Sequence, residues 1–362
     1  MDIEEYKIEL VDFLKNEYKK PKVVVMPDFF CDRIINVRDN LENFSSKVTK
    51  IIRQNGGSLD GISQMDFKGG NAINTASALI TLGAKVTPII CTNENGINKI
   101  KSFLKNSTVD FSHIKIGKKA SITTALEFDI ENKKINIMLR DLGDLENFQP
   151  SNLTNTDYLI IDDADYVCLF NWAGTRKYGT ELAREVFSRV KKKGKGKTYY
   201  DTADPNSNSK EIPKLLKSVL KANFVDILSL NENEAISYAS FFDKNIIDIS
   251  REKTNNKVAL QAAKILTENL SARIDLHTAS FAASLTKKKE TCISTFKIKP
   301  LRVTGAGDAW NAGNILADTN LLSDESRLML ANAISACYLT DPQGNYPTQN
   351  RLIEFLEKNE NK

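Results

Sequence analysis

Histidine is scarce in this chain of 362 residues, which contains only His113 and His277. A histidine-rich metal centre or a Ser-His-Asp triad is therefore poorly supplied with its central residue. The cysteines are also few and far apart, at Cys31, Cys91, Cys168, Cys292 and Cys337. A disulfide framework or a zinc site would need paired spacing, so this pattern predicts buried thiols in a reducing cytosol.

Long apolar runs and an excess of one charge are missing too. No segment approaches the roughly 20 apolar residues that span a bilayer, so we expect no membrane partner. The 50 Lys and Arg are interleaved with 46 Asp and Glu, which gives no reason to expect nucleic acid as a partner. The N-terminus is acidic and amphipathic, unlike a signal peptide. Its apolar spacing predicts an extra helix over residues 3–19 of a cytoplasmic protein.

Short apolar runs alternate with longer helical patterns along the chain. The strand candidates are Val23–Met26, Val86–Cys91, Tyr158–Ile161, Thr198–Asp201, Ile227–Leu230 and Ile274–His277. The helix candidates are Ala72–Leu82, Tyr178–Lys193, Ile212–Lys221 and Lys257–Leu270. This alternation predicts an α/β fold, a mostly parallel central sheet with helices on both faces. Polar residues that end strands, at Asp162-Asp163, Asp201, Asn231 and His277-Thr278, should then point to the ligand crevice.

Two segments interrupt the alternation, at about residues 31–50 and 120–140. Both are strand-like, and Glu131–Lys134 has the composition of a hairpin turn. We interpret them as a small projecting β-sheet that acts as a lid on one domain spanning residues 1–362. The lysine-rich run at Lys191–Lys197 ends a predicted helix, where cations interact favourably with the helix dipole and Gly194 can cap.

The segment with the most chemical content is Arg302-Val303-Thr304-Gly305-Ala306-Gly307-Asp308. Three small residues precede a predicted helix that runs from about Asp308 to Asp318. Unpaired amides at a helix N-terminus can hold a phosphate, and a carboxylate beside them can take a proton from an attacking hydroxyl. Composition alone equally allows a simple helix cap.

This segment resembles the second signature of the ribokinase/phosphofructokinase-B family of carbohydrate kinases, Asp-Thr-x-Gly-Ala-Gly-Asp. The resemblance implies a ribokinase-like fold. It also implies that Asp308 is the catalytic base and that the amides of Gly305, Ala306 and Gly307 form an anion hole.

Two further segments are similar to the acceptor side of that family. Gly69-Gly70-Asn71-Ala72-Ile73-Asn74 resembles its first signature, which implies sugar contacts at Gly69, Gly70 and Asn74. Met26-Pro27-Asp28-Phe29-Phe30-Cys31-Asp32 resembles its opening strand and loop, with Pro27 in place of the usual glycine. The resemblance implies that Asp32 accepts hydrogen bonds from substrate hydroxyls.

The nucleotide side carries weaker similarities. Asn231-Glu232-Asn233-Glu234 resembles the family's Asn-x-x-Glu, which implies a nucleotide contact at Asn231 and a magnesium ion held through water by Glu234. Thr278 and Asn332 match positions that lie near the nucleotide. ATP is the expected donor, and ADP is the alternative.

The sequence departs from the family at two places. Arg302-Val303 replaces Asp-Thr beside the site where many members bind a monovalent cation, so potassium activation is doubtful. The guanidinium of Arg302 could contact phosphate or form a surface ion pair. In Thr278–Ala283, both glycines of the family's Thr-x-Gly-x-x-Gly are absent.

The acceptor cannot be identified from these residues. A sugar, a sugar phosphate or a related polyol is the leading interpretation, a nucleoside is the alternative, and a non-catalytic sugar- or nucleotide-binding relative is the third. Relatives often dimerise through their lids, so a homodimer is a further expectation.

Overall fold

The computed structural model describes residues 3–37, 39–104, 109–130, 133–252, 255–302 and 304–361. The described strands are β1 (Lys22–Met26), β2 (Phe30–Val37), β3 (Ser63–Gly69), β4 (Lys85–Pro88), β5 (Cys91–Thr92), β6 (Lys115–Ile116), β7 (Ser121–Ile130), β8 (Lys133–Asp141), β9 (Tyr166–Phe170), β10 (Lys197–Asp201), β11 (Ile227–Leu230), β12 (Arg273–His277), β13 (Phe281–Leu285) and β14 (Glu290–Ser294).

The described α-helices are α1 (Ile3–Lys15), α2 (Leu41–Arg53), α3 (Asn71–Thr81), α4 (Glu94–Phe103), α5 (Asn155–Asp163), α6 (Trp172–Thr175), α7 (Gly179–Lys193), α8 (Ile212–Leu215), α9 (Glu232–Ala239), α10 (Asn245–Glu252), α11 (Asn255–Asn269), α12 (Ala306–Thr319), α13 (Asp324–Thr340) and α14 (Gln349–Lys358). Shorter 3₁₀ turns lie at Gly143–Asn147, Pro150–Asn152 and Pro205–Glu211, and α8 continues as a π-helical turn over Leu216–Leu220.

The main sheet has eight strands in the order β14-β13-β12-β11-β10-β9-β1-β4. The pairs from β12 to β4 are parallel, whereas β13 and β14 add antiparallel neighbours at one edge. Alternate residues of β1 enter two different cores, with Val24 and Met26 in one and Val23 and Val25 in the other. Helices therefore cover both faces of the sheet, and the predicted α/β fold is confirmed.

A second sheet of four strands has the order β3-β2-β7-β8. The small projecting sheet is thus present, but its first segment was predicted too long, because residues 41–53 form helix α2. Asn40 caps that helix by accepting a hydrogen bond from the backbone N–H of Asn43. Strand β3 was not predicted. Of the predicted turn, Glu131 and Asn132 lie outside the described residues.

The predicted strand Tyr158–Ile161 is wrong, because these residues lie in helix α5. A capping box between Thr154 and Asp157 starts the helix, and the strand is formed by the next apolar run, β9. A short apolar run does not distinguish the two structures by periodicity. Asp162 and Asp163 consequently lie away from the ligand edge. Asp163 accepts a hydrogen bond from Lys22, which is at the start of β1 and thus at the opposite edge of the sheet.

Two other predicted elements fit with smaller changes. The Val86–Cys91 run is divided, since β4 ends at Pro88 and Cys91 pairs with Lys115 in a separate two-stranded sheet. The lysine-rich run ends α7, with Gly194 as its C-cap. None of the helices in the described part of the chain combines the length and the apolar character that crossing a bilayer requires.

Candidate active site

The carboxyl ends of the parallel strands bring polar side chains together at one edge of the main sheet. Asp28 follows β1, Asn171 follows β9, Asp201 ends β10, Asn231 follows β11 and His277 ends β12. Ligands of open α/β sheets bind at this edge. The residues described below all lie around it.

Asp28 is a fully buried carboxylate that caps helix α3. It accepts hydrogen bonds from the backbone N–H groups of Asn71 (3.1 Å) and Ala72 (2.9 Å) and from the side-chain amide of Asn171 (2.8 Å). The N-cap residue itself is Gly70, which has no side chain to accept them. Asp28 therefore fixes the Gly69-Gly70 turn against the edge of the sheet.

Helix α12 begins at the Gly305–Gly307 segment. Its N-cap, Gly305, has φ of 81° and no side chain that could cap the helix. A Cβ atom there would lie 2.6 Å from the hydroxyl oxygen of Tyr338, so both the backbone conformation and the space require glycine. The first amides of the helix are consequently available to an anion.

Asp308 lies in the first turn of α12 and is only 5% exposed. Its Oδ2 accepts a hydrogen bond of 3.0 Å from the side-chain amide of Asn74, and its Oδ1 has no partner. Burial, and after it the negative charge of Asp201, raises the pKa of Asp308 well above its ordinary value. A half-satisfied carboxylate with a raised pKa is suited to accept a proton.

His277 borders the same helix start. A Cβ atom on Gly307 would lie 3.2 Å from its Cε1, and its ring lies 5.0 Å from that of Trp310. Burial lowers the pKa of His277 to about 4, so the ring is neutral at pH 7. Its Nε2 has no hydrogen-bond partner among the described residues. The polar strand end His277-Thr278 predicted this edge, but a role was predicted for Thr278 and none for His277.

Asp32 lies on the second sheet, close to the Gly69-Gly70 turn. A Cβ atom on Gly69 would lie 2.1 Å from Asp32 Oδ2, so only glycine leaves room for this carboxylate. Burial raises the pKa of Asp32, which a hydrogen bond with Thr123 and the charge of Arg140 partly offset. The strand registers place Asp32, Thr123 and Arg140 side by side on one face of the sheet. Asp32 Oδ1 has no partner.

Asn231 and Glu234 form a reciprocal cap at the start of α9. Glu234 Oε1 accepts a hydrogen bond from the side-chain amide of Asn231 (2.7 Å), and Oε2 accepts one from its backbone N–H (2.9 Å). Burial, followed by the charge of Asp201, raises the pKa of Glu234 well above its ordinary value. Glu234 and Asp201 therefore repel each other at this edge of the sheet.

The two other residues assigned to the nucleotide have partners of their own. The hydroxyl of Thr278 donates to the carbonyl of Phe281 at 2.8 Å, within the turn between β12 and β13. The amide of Asn332 accepts from Trp310 Nε1 (3.0 Å) and donates to the carbonyl of Ser294 (3.3 Å). A nucleotide contact at either residue stays a prediction.

Arg302 contacts backbone carbonyls rather than a carboxylate. Its Nη2 donates to the carbonyls of Asp341 (2.6 Å) and Pro342 (3.1 Å). The guanidinium also lies over the ring of Tyr338, 5.4 Å from its centroid. Neither predicted role describes this arrangement, which ties the loop before α12 to the loop after α13.

The structure thus brings Asp308, Asn74, Gly69, Gly70 and Asp32 together around one edge, with Asn231 and Glu234 at the neighbouring strand. Sequence reasoning missed two residues at this edge, Asp28 and Asn171, and three residues next to the start of α12. These three are Tyr338, whose hydroxyl borders Gly305, Tyr346, which stacks on Tyr338, and Lys68, which lies over Tyr346. Asp28 and Asn171 follow strands and could have been found by that placement. The other three depend on contacts between distant segments and leave no local signal.

Comparison with known proteins agrees with this geometry. The model of the pfkB family carbohydrate kinases matches residues 46–351. The ribokinase of Haemophilus influenzae is 24% identical over 306 residues, which cover 83% of this chain and 91% of that protein.

Solved structures show the same fold. The ribokinase of Arabidopsis thaliana, complexed with ribose and ATP, has a TM-score of 0.68 at 16% identity and covers 94% of this chain and 99% of its own. The adenosine kinase of Sinorhizobium meliloti has a TM-score of 0.69 at 14% identity, covering 90% and 95%. The chain therefore belongs to the pfkB family of carbohydrate kinases and is a phosphotransferase with an alcohol group as acceptor.

Proposed function

We propose that this enzyme transfers a phosphoryl group from ATP to a hydroxyl of a sugar, a sugar phosphate or a related polyol. The observation that carries the proposal is the position of Asp308, whose unpartnered Oδ1 lies beside the uncapped amides at the start of α12. A base and an anion-binding site adjacent to each other are what phosphoryl transfer to a hydroxyl requires.

The proposed reaction uses the two features in one displacement. The acceptor oxygen forms a bond to the γ-phosphorus, its proton passes to Asp308, and the bond to the leaving ADP breaks. The amides of Gly305, Ala306 and Gly307 stabilise the charge on the phosphoryl oxygens. Asn74 holds the carboxylate in place through its hydrogen bond to Oδ2.

The acceptor would lie between the Gly69-Gly70 turn and the second sheet. Asp32 and Asn74 offer a carboxylate and an amide, which suit hydroxyl groups. The face that carries Asp32 also carries Thr123 and the exposed Arg140. This second sheet would act as a lid that excludes water competing with the acceptor.

A magnesium ion fits the nucleotide side of the edge. Glu234 is buried among other acidic groups, and their repulsion would oppose a polyphosphate unless a cation were present. Both oxygens of Glu234 already accept hydrogen bonds from Asn231, so these residues would hold the ion through its water shell. The ion would neutralise phosphate charge. ADP remains the alternative donor.

The lid also supports the expectation of a homodimer. On the face opposite to Asp32, the side chains of Ile122, Ile137 and Leu139 are 42%, 46% and 57% exposed. Helix α2 covers the neighbouring end of this face through the edge-on contact of Phe44 with Phe128. A second copy of the chain would bury the remaining apolar surface.

A nucleoside is the second candidate acceptor. The adenosine kinase of S. meliloti matches this fold with a TM-score of 0.69, beside 0.68 for the A. thaliana ribokinase. The fold therefore does not favour either acceptor class over the other.

A panel of sugars, sugar phosphates, polyols and nucleosides, each assayed with ATP and with ADP, tests the proposal. We expect phosphorylation of at least one class, and its loss in Asp308→Asn with the fold retained. An Asp308→Asn enzyme that turns over at the wild-type rate would overturn the assignment of the base. Phosphorylation of nucleosides alone would select the second candidate.

A further inference from the structure

Lys68 is a mostly buried lysine at the end of strand β3, directly before the Gly69-Gly70 turn. Burial lowers its pKa to about 8, and the negative charge of Asp308 partly offsets that effect. Lys68 is therefore close enough to interact electrostatically with the proposed base. In the part of the chain that the structure describes, its ammonium forms no ion pair and instead lies 4.8 Å from the centroid of the Tyr346 ring.

The position of Lys68 on its strand directs it away from the proposed acceptor face. The register pairs Lys68 with Cys31, whereas Asp32 is paired with Phe67. Because neighbouring residues of a strand point to opposite faces, Lys68 leaves the sheet on the side opposite to Asp32. Its ammonium reaches the loop after α13 rather than the space beside Asp32.

That loop belongs to a stack of side chains around the anion hole. Tyr346 stacks on Tyr338 with ring centroids 4.8 Å apart, and the hydroxyl of Tyr338 borders Gly305. Arg302 also lies over the ring of Tyr338. Lys68 and Arg302 thus each contact one ring of this aromatic pair next to the start of α12. Arg302 donates to two backbone carbonyls, whereas the ammonium of Lys68 forms no ion pair in the described part of the chain.

An unpaired ammonium in a mostly buried position is costly unless a ligand or a neighbour compensates it. Lys99 also contacts the second sheet, but it donates to Asp66 Oδ2 at 2.6 Å and to Cys31 Sγ at 2.8 Å. Lys68 has only an aromatic face, which compensates a cation partly. Its three donors remain available for an anion held near Asp308.

We propose that Lys68 binds an oxygen of the phosphoryl group in transit, opposite the amides of Gly305, Ala306 and Gly307. The assignment rests on the proposed phosphoryl transfer and adds a cationic side chain to that site. Lys68 then supplies charge where it develops during transfer, and its contribution is greater to the transition state than to the bound nucleotide.

A transition-state analogue tests this without turnover. ADP with aluminium fluoride imitates the phosphoryl group between donor and acceptor, and ADP alone lacks it. In Lys68→Met we expect binding of ADP–aluminium fluoride to weaken about 10- to 100-fold, as for the loss of a charge-assisted hydrogen bond. Binding of ADP alone should change less than about twofold. Lys68→Arg, which keeps the charge, should recover part of the difference. Lys99→Met, which removes a paired ammonium, should leave both affinities unchanged.

Melting temperatures of the three variants establish that each is folded. If Lys68→Met binds ADP–aluminium fluoride as tightly as the wild type, the proposal is overturned. This binding assay gives an answer even if no acceptor is phosphorylated, so the proposed function and the role of Lys68 can fail separately.

Lys68 could instead bind the phosphate of a phosphorylated acceptor, and turnover assays distinguish this from contact with the transferred phosphoryl group. If Lys68 contacts the group in transit, Lys68→Met lowers kcat by a similar factor for neutral and phosphorylated acceptors. A loss confined to KM for phosphorylated acceptors would assign Lys68 to the acceptor and overturn the proposal. A shift of the pH profile alone, without loss of maximal rate, would mean that Lys68 only adjusts Asp308 and would also overturn it.

Discussion

Replacing Asp308 by asparagine should stabilise the protein while it abolishes most of the activity. The substitution keeps the shape of the side chain and removes its charge. In the wild type that charge is buried and lies near the negative Asp201 and Asp28, and the side chains of Asn74 and Asn71 stabilise it only partly. Asparagine can still accept from Asn74 through its carbonyl oxygen, so the substitution removes the repulsion without removing the hydrogen bond.

The expected magnitudes follow from this environment. Removing a buried and repelled charge should raise the free energy of unfolding at neutral pH by about 1–3 kcal/mol, the range for an uncompensated buried polar group. The melting temperature should rise by roughly 2–6 °C. Loss of a general base should lower kcat by about 10²- to 10⁴-fold. Functional residues that oppose stability in this manner are common in enzymes.

The pH dependence provides a sharper test of the physical cause. Because folding raises the pKa of Asp308, the folded state binds its proton more tightly than the unfolded state does. The stability advantage of the Asn variant should therefore be largest above the raised pKa. It should shrink as pH falls through the raised value and vanish below the ordinary value of about 3.9. The acid limb of kcat/KM should likewise lie above the ordinary carboxylate range.

Asp318 on the same helix is a matched control, because folding lowers its pKa whereas folding raises that of Asp308. It accepts hydrogen bonds from Lys197 and Arg273, both at 2.6 Å, and these cations, chiefly Arg273, lower its pKa against the effect of burial. Asp318→Asn should destabilise the protein at neutral pH, and the loss should diminish as pH falls through the depressed pKa of the wild type. Thermal unfolding of both variants between about pH 2 and pH 8 is the measurement, because the predicted changes extend below the ordinary carboxylate pKa. An Asp308→Asn protein that melts below the wild type at pH 8 would refute the reasoning.

Three other predictions concern the surroundings of the site. Gly69→Ala should raise the acceptor KM by about 10- to 100-fold, because the Cβ of the new alanine displaces the carboxylate of Asp32. Unchanged kinetics would show that no acceptor contacts this carboxylate. Replacing potassium by sodium in the assay should alter the wild-type rate less than about twofold, since Arg302 already supplies a cation to the carbonyls of this loop; strong potassium activation would contradict this. Leu139→Asp should convert a dimer into a monomer in sedimentation experiments, because it places a charge in the exposed apolar face of the lid; a wild type that is already monomeric would refute the dimer.

The parts of the site that the sequence predicted are those in which the chemistry lies within one short segment. Gly305 to Asp308 contains the small residues, the helix start and the proposed base in consecutive positions, so local rules suffice to recognise it. The segment Gly69 to Asn74 is similar. The Tyr158–Ile161 prediction failed because residues outside this segment determine its structure. Its four apolar residues suit a strand locally, but a capping box at Thr154 starts a helix there, and the strand is formed by the apolar run Tyr166–Phe170.

The parts that the sequence did not predict depend on contacts between distant segments. Asp28 caps a helix that starts more than 40 residues later, and the stack of Lys68, Tyr346 and Tyr338 joins a lid strand to the C-terminal region. Each residue taken alone has an ordinary surface or core interpretation. The folded chain brings the ammonium of Lys68 within electrostatic reach of Asp308, whose Oδ1 has no partner.

The contrast between Asp275 and Asp308 shows how the fold separates support from function. Asp275, buried under α12, accepts hydrogen bonds from Arg327 (3.0 Å), Asn314 (2.8 Å) and Ser284 (2.7 Å). Its neighbouring cations hold its pKa low despite burial, so its charge is fully compensated. This network anchors the middle of α12 to strand β12. Asp308 begins the same helix with an oxygen left free. The anchored helix therefore presents a carboxylate with one unpartnered oxygen in a fixed position, as the proposed base requires.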